Sequence, residues 1–484
     1  MDAKGPVSED AAYEAAVSWF LCGGTDITEV RGVSLGKVFQ IHVFETFYPQ
    51  ANALKEGKGL YNLVKRLGYD WHLRFFHSYL HSLRSGVACK KGGIVLLYDV
   101  NNSPSIANLN LVSGKLSESN IHLTGLTVNR NIQRRITHAK DTCLVGQFYS
   151  PKMEAEVRRL AGAVSAALES AREKIKENIE RCCPSRTGFA DEFISRIKRD
   201  IPQAIREILS LERAFEKLSP DTVVMASDAH RISRMAAIIA GKMGISTTVI
   251  QHGAPIWKYG YVPVYADRMA VWGEESREWF EKHGVPGGKL VVTGCPRYDN
   301  LGFAELENAP TRPALYLMTN PIDKELNRKI LETFAGLPAK GFREVAVKVH
   351  PSEKDLSLYE ETLKGTSIRV IRDTSIKELV RPCDIIVVGN STAGIDALAA
   401  GCVLVNLELE GFPNSIPYEK YGVAITTGFN GLEEAVREAF KLREGPGLQD
   451  HQKKCRQFIR SYLCELDGRS TDRVASLVKA QLPG

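Results

Sequence analysis

Short apolar runs, bounded by Gly, Asn, Asp and Pro, recur along this chain and are separated by stretches with helical spacing. The rhythm is strongest from residue 221 onward. Runs at 222–226, 246–250, 269–272 and 289–293 read as strands, and a second series follows at 314–318, 344–349, 367–371, 384–388, 403–407 and 423–426. Continuous apolar strands alternating with helices imply parallel sheets covered on both faces. Earlier in the chain, 11–24 reads as a helix, 37–44 as a strand and 54–83 as a helical segment rich in aromatics. The run 93–100 (GIVLLYDV) reads as a buried strand, the Asn- and Ser-rich stretch 101–116 as a loop, 121–128 as an exposed strand and 141–148 as another strand.

Residues 153–218 are charged and helical in period, with Glu and Lys or Arg at i, i+4 spacing. That pattern predicts a solvated surface hairpin. The alternative is a lid, or a segment that touches an acceptor or a membrane. A chain of 484 residues exceeds one ordinary core, so two or three domains are expected. The expected class is α/β: two Rossmann-like, doubly wound domains facing across a cleft, with a helical insertion. The expected units are an acceptor-side domain over 1–304 with the insertion at about 153–218, and a nucleotide-donor domain over 314–447. Helices over 448–484 would pack back across both. The polar segment 305–313, with two prolines, would be the hinge.

Composition adds limits. A net charge of +6 is small for this length and leaves no footprint of nucleic-acid binding, though it permits an anionic ligand or weak attraction to a membrane surface. No apolar run is long enough to span a bilayer. The 11–24 segment lacks a basic leader, so it reads as a helix rather than a signal peptide. The ten cysteines show no C-x-x-C spacing, which predicts free thiols in a reducing cytoplasm and no zinc site. The expected location is cytoplasmic, with peripheral contact at the inner face of the membrane as a further expectation.

Candidate chemistry gathers at strand ends, where open parallel sheets bind ligands. Gln251-His252-Gly253-Ala254-Pro255 follows one strand. Gly253 would let the backbone approach a ligand, and a neutral His252 imidazole could accept a proton from a hydroxyl. The bland alternative is a histidine that shapes a turn. Lys348-Val349-His350-Pro351 follows another strand, and period two places Lys348 and His350 on one face. They could meet a phosphate, with Pro351 fixing the turn, or be polar residues of an edge strand facing water. Gly389-Asn390-Ser391-Thr392-Ala393-Gly394 reads as a strand-to-helix turn. Its hydroxyls could cap the helix or hold a phosphate there. Asp396, one turn on, would face the cleft or a partner side chain.

Ser227-Asp228 occupies the equivalent turn one sheet earlier, where Asp228 could cap a helix, orient a catalytic group or bind an acceptor hydroxyl. Arg231 and Arg234 could add positive charge nearby. Arg297 and Asp299 lie at a further strand end, and Glu408 and Glu410 follow the strand at 403–407, where a carboxylate could accept hydrogen bonds from a diol. The chain contains no Asp-x-Asp pair for a metal-bridged diphosphate and no Gly-rich phosphate loop. That favours Lys, His, hydroxyls and a helix terminus as the stabilisers of a leaving phosphate.

Taken together, residues 221–426 resemble the GT-B glycosyltransferase superfamily, in particular its CDP-glycerol glycerophosphotransferase and capsule-polysaccharide (Kdo, sialyl) transferase branches. The segment around Gln251, His252, Gly253 and Pro255 is similar to the Gln-x-x-His-Gly-x-Pro segment of teichoic-acid polymerases, although here Gln251 directly precedes His252. His350-Pro351 is similar to the His-Pro motif of that group, and Ser391-Thr392 to its hydroxyl pair. The resemblance implies His252, with Asp228, as catalytic groups. It implies a donor site of Lys348, His350, Pro351, Asn390, Ser391, Thr392, Gly394 and Glu410, with Gly253, Arg297, Asp299 and Asp396 lining the cleft and no metal. It does not reach the first 220 residues. The implied enzyme is a metal-independent glycosyltransferase without a cofactor. It would move a sugar or polyol-phosphate from a CMP-, CDP- or UDP-linked donor to a surface-glycan or lipid-linked acceptor. A nucleotide-sugar 2-epimerase of the same architecture and a non-catalytic glycan-assembly protein are the alternatives.

Overall fold

The apolar runs pair side by side in two parallel sheets. The computed structural model describes residues 7–48, 90–100, 103–184, 190–255, 258–304, 309–320, 324–351, 353, 355–389, 391–409 and 416–483. The first sheet comprises β1 (Ile94–Tyr98), β2 (Leu123–Thr127), β3 (Asp141–Leu144), β4 (Thr222–Met225), β5 (Ser246–Ile250), β6 (Arg268–Val271) and β7 (Leu290–Val292), in the order β3-β2-β1-β4-β5-β6-β7. The second comprises β8 (Ala314–Met318), β9 (Glu344–Lys348), β10 (Arg369–Ile371), β11 (Ile385–Val388), β12 (Val403–Leu407) and β13 (Ala424–Thr427), in the order β10-β9-β8-β11-β12-β13. Every pairing in both is parallel. Each order is the 3-2-1-4-5-6 arrangement of a Rossmann-like domain, with an extra strand on the first. The direction in which successive strands are added reverses between β1 and β4 in one sheet and between β8 and β11 in the other, and a crevice opens there at the carboxyl edge.

Alternation of side chains puts neighbours in a strand on opposite faces. Val95 and Leu97 of β1 join one buried cluster, while Ile94, Leu96 and Tyr98 join another with Val474, Ala475 and Val478 of the final helix. Leu315 and Leu317 of β8 divide from Ala314, Tyr316 and Met318 in the same way. One cluster spans both sheets. Ala254, Trp272, Cys295 and Tyr298 from the first half are buried with Ile395, Tyr418, Phe458 and Tyr462 from the second. Helix Leu448–Leu463 supplies Phe458 and Tyr462 to that shared core, and helix Ser470–Lys479 then packs on helix Ser103–Ser117 of the first half.

Several early elements differ from the sequence reading. Residues 37–44 are helical, in Leu35–Val38 and Gln40–Phe47, because Gln40, Val43, Phe44 and Phe47 are buried at 3.6-residue spacing. The stretch read as a loop is the helix Ser103–Ser117, whose Ile106, Leu109, Val112 and Leu116 form an inward stripe. Strand β2 is buried along its whole length rather than exposed. Between β3 and β4 lie the helices Glu154–Ser170, Arg172–Cys182 and Ala190–Leu218. The last is no surface hairpin. Phe193, Ile194, Ile197, Ile201, Ile205, Ile208 and Phe215 bury one face of it, each contributing roughly 1.5–3 kcal/mol. Most of its charges occupy the other face, as the i, i+4 pattern implies, while Glu207 is buried. Among the described residues eight cysteines are free thiols, but Cys143 is disulfide-bonded, unlike the uniformly reduced set expected. Residues 54–83 and 305–308 lie outside the described residues. Among those described, no helix is long and apolar enough to cross a membrane.

Candidate functional site

The crevice of the first sheet lies between the ends of β1 and β4. Asp99 follows β1 directly, and Ser227 to His230 follow β4. His230 has an extended backbone and precedes helix Arg231–Lys242, whose first turn presents Ser233 back toward β1. The Ser233 hydroxyl donates to Asp99 Oδ2 at 2.5 Å. Burial raises the Asp99 pKa, and the attraction of His230 and the Ser233 hydrogen bond offset part of that rise.

His252, from the end of β5, completes the group. Its ring lies 6.4 Å from that of His230 and stacks on Tyr261 at 4.6 Å, with an interplanar angle of 10°. Burial, and then the neighbouring His230, pull the His252 pKa down to about 3, so the imidazole is neutral at pH 7. Its loop is fixed from below. Gln251 is fully buried; its amide donates to Gly253 O and Ser276 Oγ and accepts from Trp272 N. Gly253 is required by space, since a Cβ there would lie 2.8 Å from the Tyr261 hydroxyl. Tyr261 in turn donates to Ala254 O at 2.8 Å.

Asp228 lies next to this group but turns elsewhere. It is buried, and its Oδ2 accepts from Tyr265 N at 2.6 Å and Ala266 N at 3.0 Å. Its own carbonyl accepts from Arg234, which is also buried and bonded to Lys37 O and Gln40. Arg231 pairs with Glu207 at 2.7 Å, toward the helical layer.

The second sheet mirrors this arrangement. Thr319 and Asn320 follow β8, and His350 follows β9. Thr319 Oγ1 accepts from His350 N at 3.1 Å and donates to Glu353, which also takes the Tyr359 hydroxyl at 2.7 Å. Asn320 donates to Gly389 O at 2.7 Å, tying β8 to β11 across the switch point. Burial, and then Lys348, lower the His350 pKa, so this imidazole is also neutral. Lys348 is buried with its ammonium on two carbonyls, Val349 O at 3.0 Å and Arg372 O at 2.5 Å. Only its charge reaches His350. Pro351 is exposed in the turn.

Ser391 and Thr392 are half-buried at the start of helix Ala393–Ala399. Tyr418 donates to Ser391 O at 2.8 Å and packs so closely on Gly394 that a Cβ there would lie 2.4 Å from its hydroxyl. Asn390 and Glu410 lie outside the described residues, and Glu408 is exposed after β12.

Two groups meet across the seam. The Arg297 guanidinium lies 4.7 Å from the Tyr298 ring and 5.4 Å from Trp272. Opposite it, Asp396 is pushed up to about 6 by burial, less the pull of Arg297. Asp299 is committed elsewhere, accepting from Ser470 N and Thr471 N at 2.8 Å and so capping the final helix. A cleft of about 580 Å³ lies beside Arg297, between Lys115, His138 and Asp472, and includes neither His252 nor His350.

The structure thus brings His252, Gly253, Arg297, Asp396 and the Ser391-Thr392 turn to the interdomain seam. Asp99, His230, Thr319 and Glu353 were not singled out from the sequence. Asp99 ends a wholly apolar strand and His230 sits in the Ser-Asp-Ala-His turn, and both were signals of the same kind as His252. Among the described residues, no group of three or more His, Cys, Asp or Glu side chains is arranged to hold a metal ion.

What these features define is a two-domain Rossmann-like α/β protein with polar groups at both switch points. No family model matches the chain, and no curated protein matches it. Among solved structures, it is similar to a Listeria monocytogenes protein described as a UDP-N-acetylglucosamine 2-epimerase, at 13% identity over 81% of this chain and 96% of that one, with a TM-score of 0.49. It is similar to the UDP-GlcNAc 2-epimerase of Neisseria meningitidis, at 12% identity over 80% and 99%, TM-score 0.47. It is also similar to the calicheamicin glycosyltransferase CalG4, at 14% identity over 81% and 98%, TM-score 0.47.

Proposed function

We propose that this protein is a metal-independent transferase that moves a sugar or polyol-phosphate from a nucleotide-activated donor to an acceptor hydroxyl. The observation that carries the reading is the shared seam. Ala254, two residues past His252, is buried in one cluster with Ile395 and Tyr418, which flank and support the Ser391-Thr392 turn. In this reading the loop carrying His252 and the Ser391-Thr392 turn, from different halves of the chain, border the same buried cluster and face a shared reaction space.

In this reading the second domain binds the donor. His350, Ser391 and Thr392 contact its phosphates, and Lys348 contributes its charge from behind the strand. The donor is a cytidine or uridine nucleotide, with cytidine favoured by the His-Pro resemblance. The first domain binds the acceptor, a glycan or a lipid-linked hydroxyl. His252 is the neutral base on that hydroxyl, His230 stands beside it, and Asp99 stabilises the charge that develops there. Donor and acceptor reach reacting distance when the domains close.

A thermal-shift panel of CMP, CDP, UDP and GDP tests the donor. Nucleotide at 100 times its Kd adds about 2.7 kcal/mol to apparent stability. Absence of any shift would sink the reading. Product analysis by NMR then separates transfer from epimerisation: a new glycosidic or phosphodiester linkage supports it, and an altered sugar still bound to nucleotide overturns it. His252→Ala with near-normal turnover would remove His252 from the chemistry.

A further inference from the structure

Residues 119–140 contain no Asp or Glu and no Phe, Tyr or Trp, but carry Arg130, Arg134, Arg135, His138 and Lys140. In the structure this segment comprises β2, second from the edge of the first sheet, and the crossover from β2 to the edge strand β3. Thr127, at the end of β2, is the register partner of Tyr98 on β1, so the crossover begins next to Asp99 at the mouth of the site. Asn129 caps a short helix over Arg130–Gln133. The chain then returns to the opposite end of the sheet, where Lys140 N bonds Leu123 O and Lys90 N bonds Asp141. The stripe is roughly 15 Å long, the length of a four-residue strand and its flanks.

Lys90, Lys91, Arg130, Arg134 and Lys140 are all exposed, and none has an ion-pair partner among the described residues. Lys115, on the adjacent helix, differs in being neutralised by Glu118 and Asp472. Lysines and arginines often blunt a sheet edge against pairing. Here that work is done by Gln133, whose amide covers Thr142 on β3. Arg130 follows the carboxyl end of β2, whereas Lys90, Lys91 and Lys140 precede the amino ends of β1 and β3, so the five cations stand at both ends of the strands rather than around one phosphate. The segment offers no Phe, Tyr or Trp ring for a base to stack on. Dispersed, unpaired cations on an outer rim are suited to a surface of many anionic headgroups.

We infer that Lys90, Lys91, Arg130, Arg134 and Lys140 form a docking surface for an anionic lipid bilayer, with the mouth of the site at one end of it. A lipid-linked acceptor would then present its hydroxyl beside Asp99 and His230. That last step rests on the proposed transfer reaction; the docking itself does not.

The test is co-sedimentation of the full chain with phosphatidylglycerol/phosphatidylcholine vesicles, without donor or acceptor. Each cation near an anionic surface is worth about a fivefold change in affinity, so Arg134→Ala/Lys140→Ala is expected to weaken binding about 25-fold. The control Lys340→Ala/Lys453→Ala, which alters exposed cations of the second half, should bind as wild type, and 0.5 M salt should abolish binding. Equal binding to neutral vesicles, no binding to anionic ones, or an unaffected double variant would each overturn the inference. So would tighter binding to poly(U) than to vesicles at equal phosphate concentration. Because no catalysis is involved, a failed transfer assay leaves this result standing, and failed docking leaves the transferase reading standing.

Discussion

Asp228 offers the sharpest separation of a positioning role from a chemical one. Both backbone donors it receives, Tyr265 N and Ala266 N, reach the same oxygen, Oδ2. Asn at this position can place its single carbonyl oxygen there and keep both bonds. Ala cannot, and leaves two N–H groups without an acceptor in a buried loop. Each unsatisfied buried donor costs roughly 1–3 kcal/mol, while removing a carboxylate whose pKa is raised by burial returns part of that. We expect Asp228→Ala to lose about 3 kcal/mol and Asp228→Asn no more than about 1 kcal/mol. For a domain of this size the alanine change corresponds to a melting-point drop of roughly 6–12 °C.

The effect extends to the site through one short segment. Tyr261, four residues before Tyr265, is the ring on which His252 stacks. Asp228→Ala should therefore reduce turnover as well as stability, and Asp228→Asn should retain both. Thermal melts by circular dichroism, with turnover measured well below each midpoint, would check this. If Asp228→Asn folds normally but loses turnover more than 100-fold, the carboxylate itself takes part in the reaction. If Asn and Ala are equally destabilising, the clamp is electrostatic rather than geometric. The pH dependence adds a check. A carboxyl with a raised folded pKa makes the fold less stable as pH rises from about 4 through that pKa. The Asn variant lacks this fall, so its deficit against wild type should shrink as pH rises.

Three further changes are predictable. His252 has a folded pKa near 3 against an ordinary 6.5, so the unfolded chain takes up its proton first and stability is lost as pH falls below 6.5. Urea unfolding should show wild type losing about 2 kcal/mol more than His252→Gln between pH 7 and pH 5. An unchanged gap would contradict the buried, neutral imidazole. Gly394→Ala forces a methyl group against the Tyr418 hydroxyl and Leu404, at an expected cost of about 1–3 kcal/mol. By displacing Tyr418 from Ser391 O it should also raise the donor KM more than it lowers kcat, and added Tyr418→Phe should restore part of the stability. Asp396, with a folded pKa near 6, destabilises the fold progressively between about pH 4 and pH 6. Asp396→Asn should gain up to about 3 kcal/mol on wild type across that range, and no gain would show that the carboxyl is solvated.

What the sequence could reveal followed from how each feature is encoded. The strands of the second sheet were readable almost to the residue, because a strand buried on both faces is mostly apolar: 314–318 is apolar throughout, and 403–407 is interrupted only by Asn406. The same rule placed His252, His350 and Ser391 at carboxyl ends. Amphipathic helices were harder. Ser103–Ser117 hides its stripe among Asn and Ser residues, several of them buried and bonded, so local polarity outweighed a sound 3.6-residue period. Strand order was beyond reach, and it accounts for the missed half of the site. Asp99 and His230 are 131 positions apart in the chain, and become neighbours only because β4 returns beside β1 rather than beside β3. Side-chain commitment was equally hidden. Period two correctly placed Lys348 and His350 on one face, but a buried ammonium must take whatever acceptors surround it. The nearest are the carbonyls of Val349 and Arg372. A motif can therefore name the residues at a strand end without showing which of them point at a ligand. Here the backbone partners of Lys348, Asp228 and Asp299 exclude their groups from direct contact, and leave His230, His252, His350 and Asp396 as the side chains on which the chemistry should be tested first.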